Sequence, residues 1–303
     1  GGRLNLGKLL PPADPSTLPL ALAWHRPDYQ EPLILSTMRT PTNPIFSNNL
    51  TVYSGIRKFN NTNGINTNGL VNQNAGWIFY RTSAAVSWSS NAMTWYTNNG
   101  NYQFWSATLT NLPVRTFQYY LQLDFDSGAR TTYSYYTNNT DGFATTTNAA
   151  TAQSSPYTFA VNKANATVLI SGTNQTYNGS ARSVTISTTP SGLTTAATYN
   201  GNSSAPTNAG LYNVIVTIND TNYQGSASNS LSIAKAVATL VIGNTNQTYN
   251  GQARAVTVTT TPTNLANTVT YNGLTLPPTD PGLYAIAAAI NELNYQGSNS
   301  ASL

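Results

Sequence analysis

Only 7% of this 303-residue chain is charged, 13 Lys and Arg against 9 Asp and Glu for a net +4, where soluble proteins average about 25%; Asn, Thr, Ser, Tyr and Gly meet the water instead, as suits an extracellular scaffold rather than a cytosolic enzyme. The absence of cysteine excludes disulfide frameworks and thiolate metal sites. The basic residues are scattered, with Arg57-Lys58 the one adjacent pair, which argues against a nucleic-acid face, and no stretch reaches the roughly 20 apolar residues of a membrane span.

In chain order, residues 1 to 23 read as an extended tail. It holds Leu9, Leu10, Leu18, Leu20 and Leu22 around the Pro-rich turn Pro11-Pro12-Ala13-Asp14-Pro15. A free tail does not carry so many leucines. It is expected to dock, either on its own first domain or as a strand added to the sheet edge of a neighbouring subunit. Gly1 in place of an initiator Met is read as a mature, exported chain.

Residues 24 to 162 read as one β-domain. Strands are expected at 50–53, 77–81, 93–96, 102–109, 117–125, 131–136 and 156–161. In the longest, Phe117, Tyr119, Leu121, Leu123 and Phe125 share a face, the pattern of a central strand. All five tryptophans, Trp24, Trp77, Trp88, Trp95 and Trp105, fall here. They fill cores and interfaces, or Trp77, Trp88, Trp95 and Trp105 form an exposed platform for sugar rings. The domain faintly resembles Ig-like and carbohydrate-binding-like domains of bacterial exoproteins, without a diagnostic motif.

From residue 163 the chain repeats itself. Thr173-Asn174-Gln175-Thr176-Tyr177-Asn178-Gly179 recurs at Thr245-Asn246-Gln247-Thr248-Tyr249-Asn250-Gly251. The same 72-residue offset carries Lys163-Ala164 to Lys235-Ala236, Tyr199-Asn200-Gly201 to Tyr271-Asn272-Gly273, and Asn222-Tyr223-Gln224-Gly225 to Asn294-Tyr295-Gln296-Gly297. A gapless offset with more than half the positions identical is an internal duplication. Within each copy apolar residues alternate with period two, as at Tyr212, Val214, Val216 and Ile218, and Asn-Gly or Thr-Pro steps separate the runs. Short strands between turns in about 70 residues describe a small antiparallel sandwich.

These residues resemble the bacterial Ig-like modules called MBG domains, through the Tyr-Asn-Gly turn, Pro206 to Gly210 and Tyr212, Asn222-Tyr223-Gln224-Gly225, and the closing Ile233-Ala234-Lys235-Ala236. The resemblance covers 163 to 303. It implies a spacer or adhesive module of large surface proteins, and no catalytic residues. The expected fold is therefore all-β: three tandem antiparallel Ig-like sandwiches, at 24–162, 163–234 and 235–303, behind the tail. Leu303 aligns with Leu231, so the last copy lacks the residues that close the first. Either the chain is truncated there, or an open groove accepts a strand from a neighbour.

Chemistry-bearing residues are sparse. His25, the single histidine, has no nucleophile-elbow sequence to serve and reads as structural; His or Cys metal clusters cannot form. Asp124 and Asp126 share a strand face and read as solvated charge or, alternatively, a Ca²⁺ pair. Asp220 and Glu292 recur in the same turn of each copy and read as structural. Sequons begin at Asn49, Asn60, Asn138, Asn165, Asn174, Asn178, Asn202, Asn219 and Asn246, permitting glycosylation if exported. No cofactor and no catalysis are expected. The function expected is a structural subunit of an extracellular filament or surface assembly, a homopolymer with no membrane span, with a glycan-binding surface adhesin as the alternative.

Overall fold

The computed structural model describes residues 21–27, 30–31, 35–58, 72–99, 102–126, 132–137, 143–144 and 148–303. Among them one short helix forms, Ala149–Ser154, capped by the Asn148 carboxamide on Ala150 N. The remainder is strand and turn. The chain divides into two compact units, Gly1–Ala164 and Asn165–Leu303.

The first unit is a pair of facing sheets. One runs Phe143–Ala144, Ala21–Trp24, Leu50–Lys58, Tyr102–Leu109, Thr94–Asn99, with Arg39–Thr40 beside Leu50–Lys58. The other runs Thr132–Thr137, Thr116–Asp126, Asn72–Thr82, Ser89–Ala92, with Tyr157–Ala160 also on Thr116–Asp126. Period-two alternation sends Leu50, Val52, Ile56 and Leu109 inward from the first sheet. Ile78, Phe117, Tyr119, Leu121 and Leu123 meet them from the second. Each such side chain contributes roughly 1.5–3 kcal/mol by leaving water. Thr116–Asp126 is the central strand its sequence suggests.

The structure sharpens the sequence reading in two places here. The expected strand 93–96 falls, from its second residue, in Thr94–Asn99, and a strand the sequence did not suggest, Ser89–Ala92, precedes it in the other sheet. Met93 lies between them, buried, with its amide bonded to Gly76 O, and its apolar side chain anchors the crossing. The end of the expected tail is also a strand of its own domain. Ala21–Trp24 pairs with Leu50–Lys58, Leu22 opposite Arg57, and with Phe143–Ala144. Leu9, Leu10, Leu18 and Leu20 lie outside the described residues.

In the second unit each copy packs a two-stranded ladder against a larger sheet. In repeat 1 the ladder is Thr167–Ser171 with Thr185–Thr189, and the sheet is Asn174–Thr176, Ser226–Ala234, Gly210–Ile218, Thr195–Tyr199. Ile170, Val184, Tyr199, Val214, Val216, Leu231 and Ile233 close the core. Two pairings depart from the antiparallel expectation: Ala236–Val237 lies parallel to Tyr295–Gln296, and Asn174–Thr176 parallel to Ser226–Ala234. The chain passes from the ladder to the sheet edge without reversing and so arrives in the same direction. Repeat 2 has the ladder Thr239–Gly243 with Thr257–Thr261 and a sheet of three strands, Asn267–Tyr271, Ala285–Ile290, Ser298–Ser302.

The recurring motifs are turn and packing devices. Asn200 and Gly201, like Asn272 and Gly273, both have positive φ, the two-residue hairpin turn for which Asn-Gly is suited. Tyr212 Oη donates to Asn208 O and Tyr284 Oη to Asp280 O, each tying down the loop that precedes its strand. At Gly225 and Gly297 an added Cβ would collide with the carbonyl oxygens of Ala166 and Ala238. The last position of Asn-Tyr-Gln-Gly is thus set by close backbone approach.

Candidate functional site

Three places gather polar and aromatic side chains. The first is the joint between the repeats. Only Lys235 separates Ser226–Ala234 of repeat 1 from Ala236–Val237 of repeat 2, which pairs at once with Tyr295–Gln296. Lys235 Nζ donates to Glu292 O at 2.6 Å. From the same turn Asn294 reaches back, accepting from Ala209 N at 2.8 Å and donating to Asn208 Oδ1 at 3.1 Å. The Tyr295 ring meets Tyr177 of repeat 1 edge-on, centroids 5.4 Å apart. A single connecting residue with hydrogen bonds and ring packing on both sides makes a stiff joint, unlike a free linker.

Gln247, Tyr249, Arg254, Pro278 to Gly282, Tyr284 and Leu303 line a concavity of about 130 Å³. In repeat 1 the corresponding edge strand, Asn174–Thr176, pairs with Ser232 to Ala234.

The second place is the outer face of the first unit's Asn72–Thr82 sheet. Since Ile78 points into the core, Trp77, Phe79 and Arg81 point out. Phe79 stacks on Tyr120 at 4.9 Å, Trp88 meets Tyr120 edge-on at 4.9 Å, and the Arg81 guanidinium lies 4.3 Å from the Trp88 ring centroid. Arg81 Nε donates to Gln118 Oε1, and Gln122 donates to Asp124. The register brings Trp77 and Trp88 to this face but places Trp95 and Trp105 on the opposite sheet, paired with one another. Trp105 packs on the core, and Trp95 is 55% exposed with Nε1 on Asn98 Oδ1. The four tryptophans form no single platform, because a residue's sheet and face decide its neighbours. Phe79, Tyr120 and Arg81 complete the aromatic face; the signal for them was the alternation with Ile78.

The third place is His25, fully buried. Nδ1 lies 2.6 Å from Tyr53 O, and Nε2 lies 2.7 Å from Tyr119 Oη. A carbonyl only accepts, so Nδ1 carries the proton and Nε2 accepts from the tyrosine. Tyr157 packs edge-on and donates its hydroxyl to His25 O. Burial lowers the pKa of His25 from 6.5 to about 3, with the Arg39 charge adding to the effect and the Tyr53 hydrogen bond opposing it. The imidazole is a neutral bridge between the sheets.

The recurrent carboxylates Asp220 and Glu292 lie between strands, in equivalent turns of the two repeats. Asp220 accepts from Asn222 N and Tyr223 N, and Glu292 from Ala266 N. Asp126's side chain lies outside those described, and among the described residues no three His, Cys, Asp or Glu gather to hold a metal. Asn49, Asn165, Asn174, Asn178, Asn202, Asn219 and Asn246 are all exposed; Asn60 and Asn138 are outside the described residues. No helix is long and apolar enough to cross a membrane.

Residues 166–237 and 238–303 each match the family model described as MBG domain. No curated protein matches the sequence. Among solved structures, a cyclomaltodextrinase is 11% identical over 46% of this chain and 19% of its own, at a TM-score of 0.31. The cycloalternan-forming enzyme from Listeria monocytogenes is 14% identical over 88% of this chain and 19% of its own, at 0.28. The S-layer protein rSbsC(31-844) is 13% identical over 86% of this chain and 40% of its own, at 0.18. The chain thus spans well under half the length of each, and similarity at this level carries no functional argument.

Proposed function

We propose that this chain, whose C-terminal half is two tandem MBG domains, is a non-catalytic structural subunit of an extracellular surface assembly. The repeats serve in it as a stiff spacer. The observation that carries the reading is the one-residue joint at Lys235, locked by Asn294 and by Tyr295 on Tyr177. It is supported by the low charge, and by the match of both repeats to the MBG domain model, a resemblance that implies a spacer or adhesive module of surface proteins. In its finer form the subunits join head to tail, residues 1–20 of one copy adding to a sheet edge of another. Ala21–Trp24 is already a strand of its own domain, so the segment to remove is 1–20. Sedimentation and electron microscopy of the full chain over a range of concentrations test this. Polymers that vanish without residues 1–20 support it; a strict monomer at every concentration sinks it.

The aromatic face of the first unit favours a second reading, a surface adhesin that binds glycans. Trp77, Phe79 and Trp88 present ring surface beside the hydrogen-bonding groups of Gln118, Gln122 and Asp124, the combination that suits a pyranose ring. A glycan array probed with the full chain and with Trp77→Ala discriminates, since signals that do not depend on Trp77 place binding elsewhere.

A further inference from the structure

We propose that the outer aromatic face of the first unit takes uncharged sugars and rejects acidic ones, and that Asp124 makes the choice. The proposal rests on the glycan-binding reading of that face and names the class of sugar it holds. Strand register lays the face out in rows. On one side Gln118 lies opposite Arg81, Tyr120 opposite Phe79, Gln122 opposite Trp77 and Asp124 opposite Ala75. On the other side Ser90 and Ala92 flank Phe79 and Trp77.

The rows differ in how far their groups are already engaged. Phe79 stacks on Tyr120, Trp88 stands edge-on to the same ring, and Gln153 donates to the Tyr120 hydroxyl. Arg81 lies on Trp88 while its Nε donates to Gln118 and its Nη1 to Val86 O. These groups hold one another in place, which fixes the face before any ligand arrives and lowers the entropic cost of binding. Trp77 is half-buried, and among the described residues no hydrogen bond or ring contact engages it. Its neighbour Ala92 is small and exposed. Trp77 is thus the ring left to stack on the C–H face of a pyranose.

Two charged side chains share these rows, Arg81 and Asp124. Arg81 is four residues from Trp77 along an extended strand, about 13 Å, and exposed charges are screened beyond roughly 8 Å in physiological salt. Asp124 is the diagonal neighbour of Trp77 across the ladder, about 7–8 Å away. The sign of the field at Trp77 is therefore set by Asp124. One of its oxygens accepts from Gln122 Nε2 at 3.0 Å. A carboxylate only accepts, so its remaining lone pairs suit sugar hydroxyls, which donate. A uronate brings a like charge to the same place. At about 8 Å and effective dielectric constants between about 80 and 20, that repulsion weakens binding roughly threefold to thirtyfold.

The test is binding of the full chain to an array of neutral glycans, each printed beside the same glycan with its C6 alcohols oxidised to carboxylates. Neutral glycans should bind, and their oxidised partners at least about threefold more weakly. Trp77→Ala should remove both signals. Asp124→Asn keeps an acceptor oxygen and drops the charge, so it should bring each oxidised glycan to within about twofold of its neutral partner. Equal, Trp77-dependent binding of both members of a pair to the unchanged protein overturns the inference and leaves the glycan reading standing. A preference that survives Asp124→Asn in a variant with unchanged far-UV dichroism also overturns it. No signal on any neutral glycan, or signals indifferent to Trp77→Ala, overturns both. The comparison on the unchanged protein decides even where a variant misfolds.

Discussion

Acidification should unfold the first unit before the second, and His25 sets the size of the effect. Its ring is neutral and fully buried, donating to Tyr53 O and accepting from Tyr119 Oη, with a pKa lowered to about 3 from 6.5. The unfolded chain takes up the proton below pH 6.5, and the folded one resists until about pH 3. The stabilisation is therefore complete above pH 6.5 and is lost as pH falls from 6.5 towards 3. At 1.36 kcal/mol per pH unit, going from pH 7.5 to 4.5 removes about 2.7 kcal/mol. That is a large share of the roughly 5–15 kcal/mol that holds a domain. Every tryptophan lies in the first unit and His25 is the single histidine, so tryptophan fluorescence in a urea titration follows this unit alone. The second unit, seen by far-UV dichroism, is an internal control without histidine. His25→Gln should lower stability at pH 7.5 and flatten the dependence. An unchanged unfolding free energy of the first unit between pH 7.5 and 4.5, or a histidine that titrates near 6 by NMR in the folded chain, would refute the reasoning.

Gly225→Ala should destabilise repeat 1 by about 2–4 kcal/mol, because the new Cβ meets the Ala166 carbonyl and backbone must move; a thermal melt by far-UV dichroism that does not shift counts against it. Leu231→Ala, at a fully buried position, should cost about 2–5 kcal/mol in the same assay. Asn294→Ala removes the two hydrogen bonds to Asn208 and Ala209, worth about 1 kcal/mol each. Calorimetry should then resolve the two repeats into less coupled transitions, and a single unaltered transition would show that the joint is held by other means.

The duplication, the alternation within it and its turns were legible in the sequence because they depend on local chemistry. Asn200-Gly201 adopts positive φ wherever a two-residue hairpin is needed, and Val214 and Val216 face one way in any strand. The alternation of Phe117, Tyr119, Leu121 and Leu123 likewise sufficed to mark a central strand. Ser89–Ala92 was missed because Ser-Ser-Asn-Ala carries no alternation of apolar residues. The tryptophans were grouped because composition records residue types without their faces.

What the sequence alone determined is the all-β class and the two MBG modules, through propensity, period and turn residues, which act between near neighbours. Only the tertiary structure decided that Ala21–Trp24 belongs to its own sheet, that Trp77 and Trp88 part from Trp95 and Trp105, and that Tyr295 of one module rests on Tyr177 of the next. Those contacts join residues far apart in the chain. Their partners are chosen by register and by which surfaces the folding of each sheet leaves facing one another, and no local pattern encodes that choice.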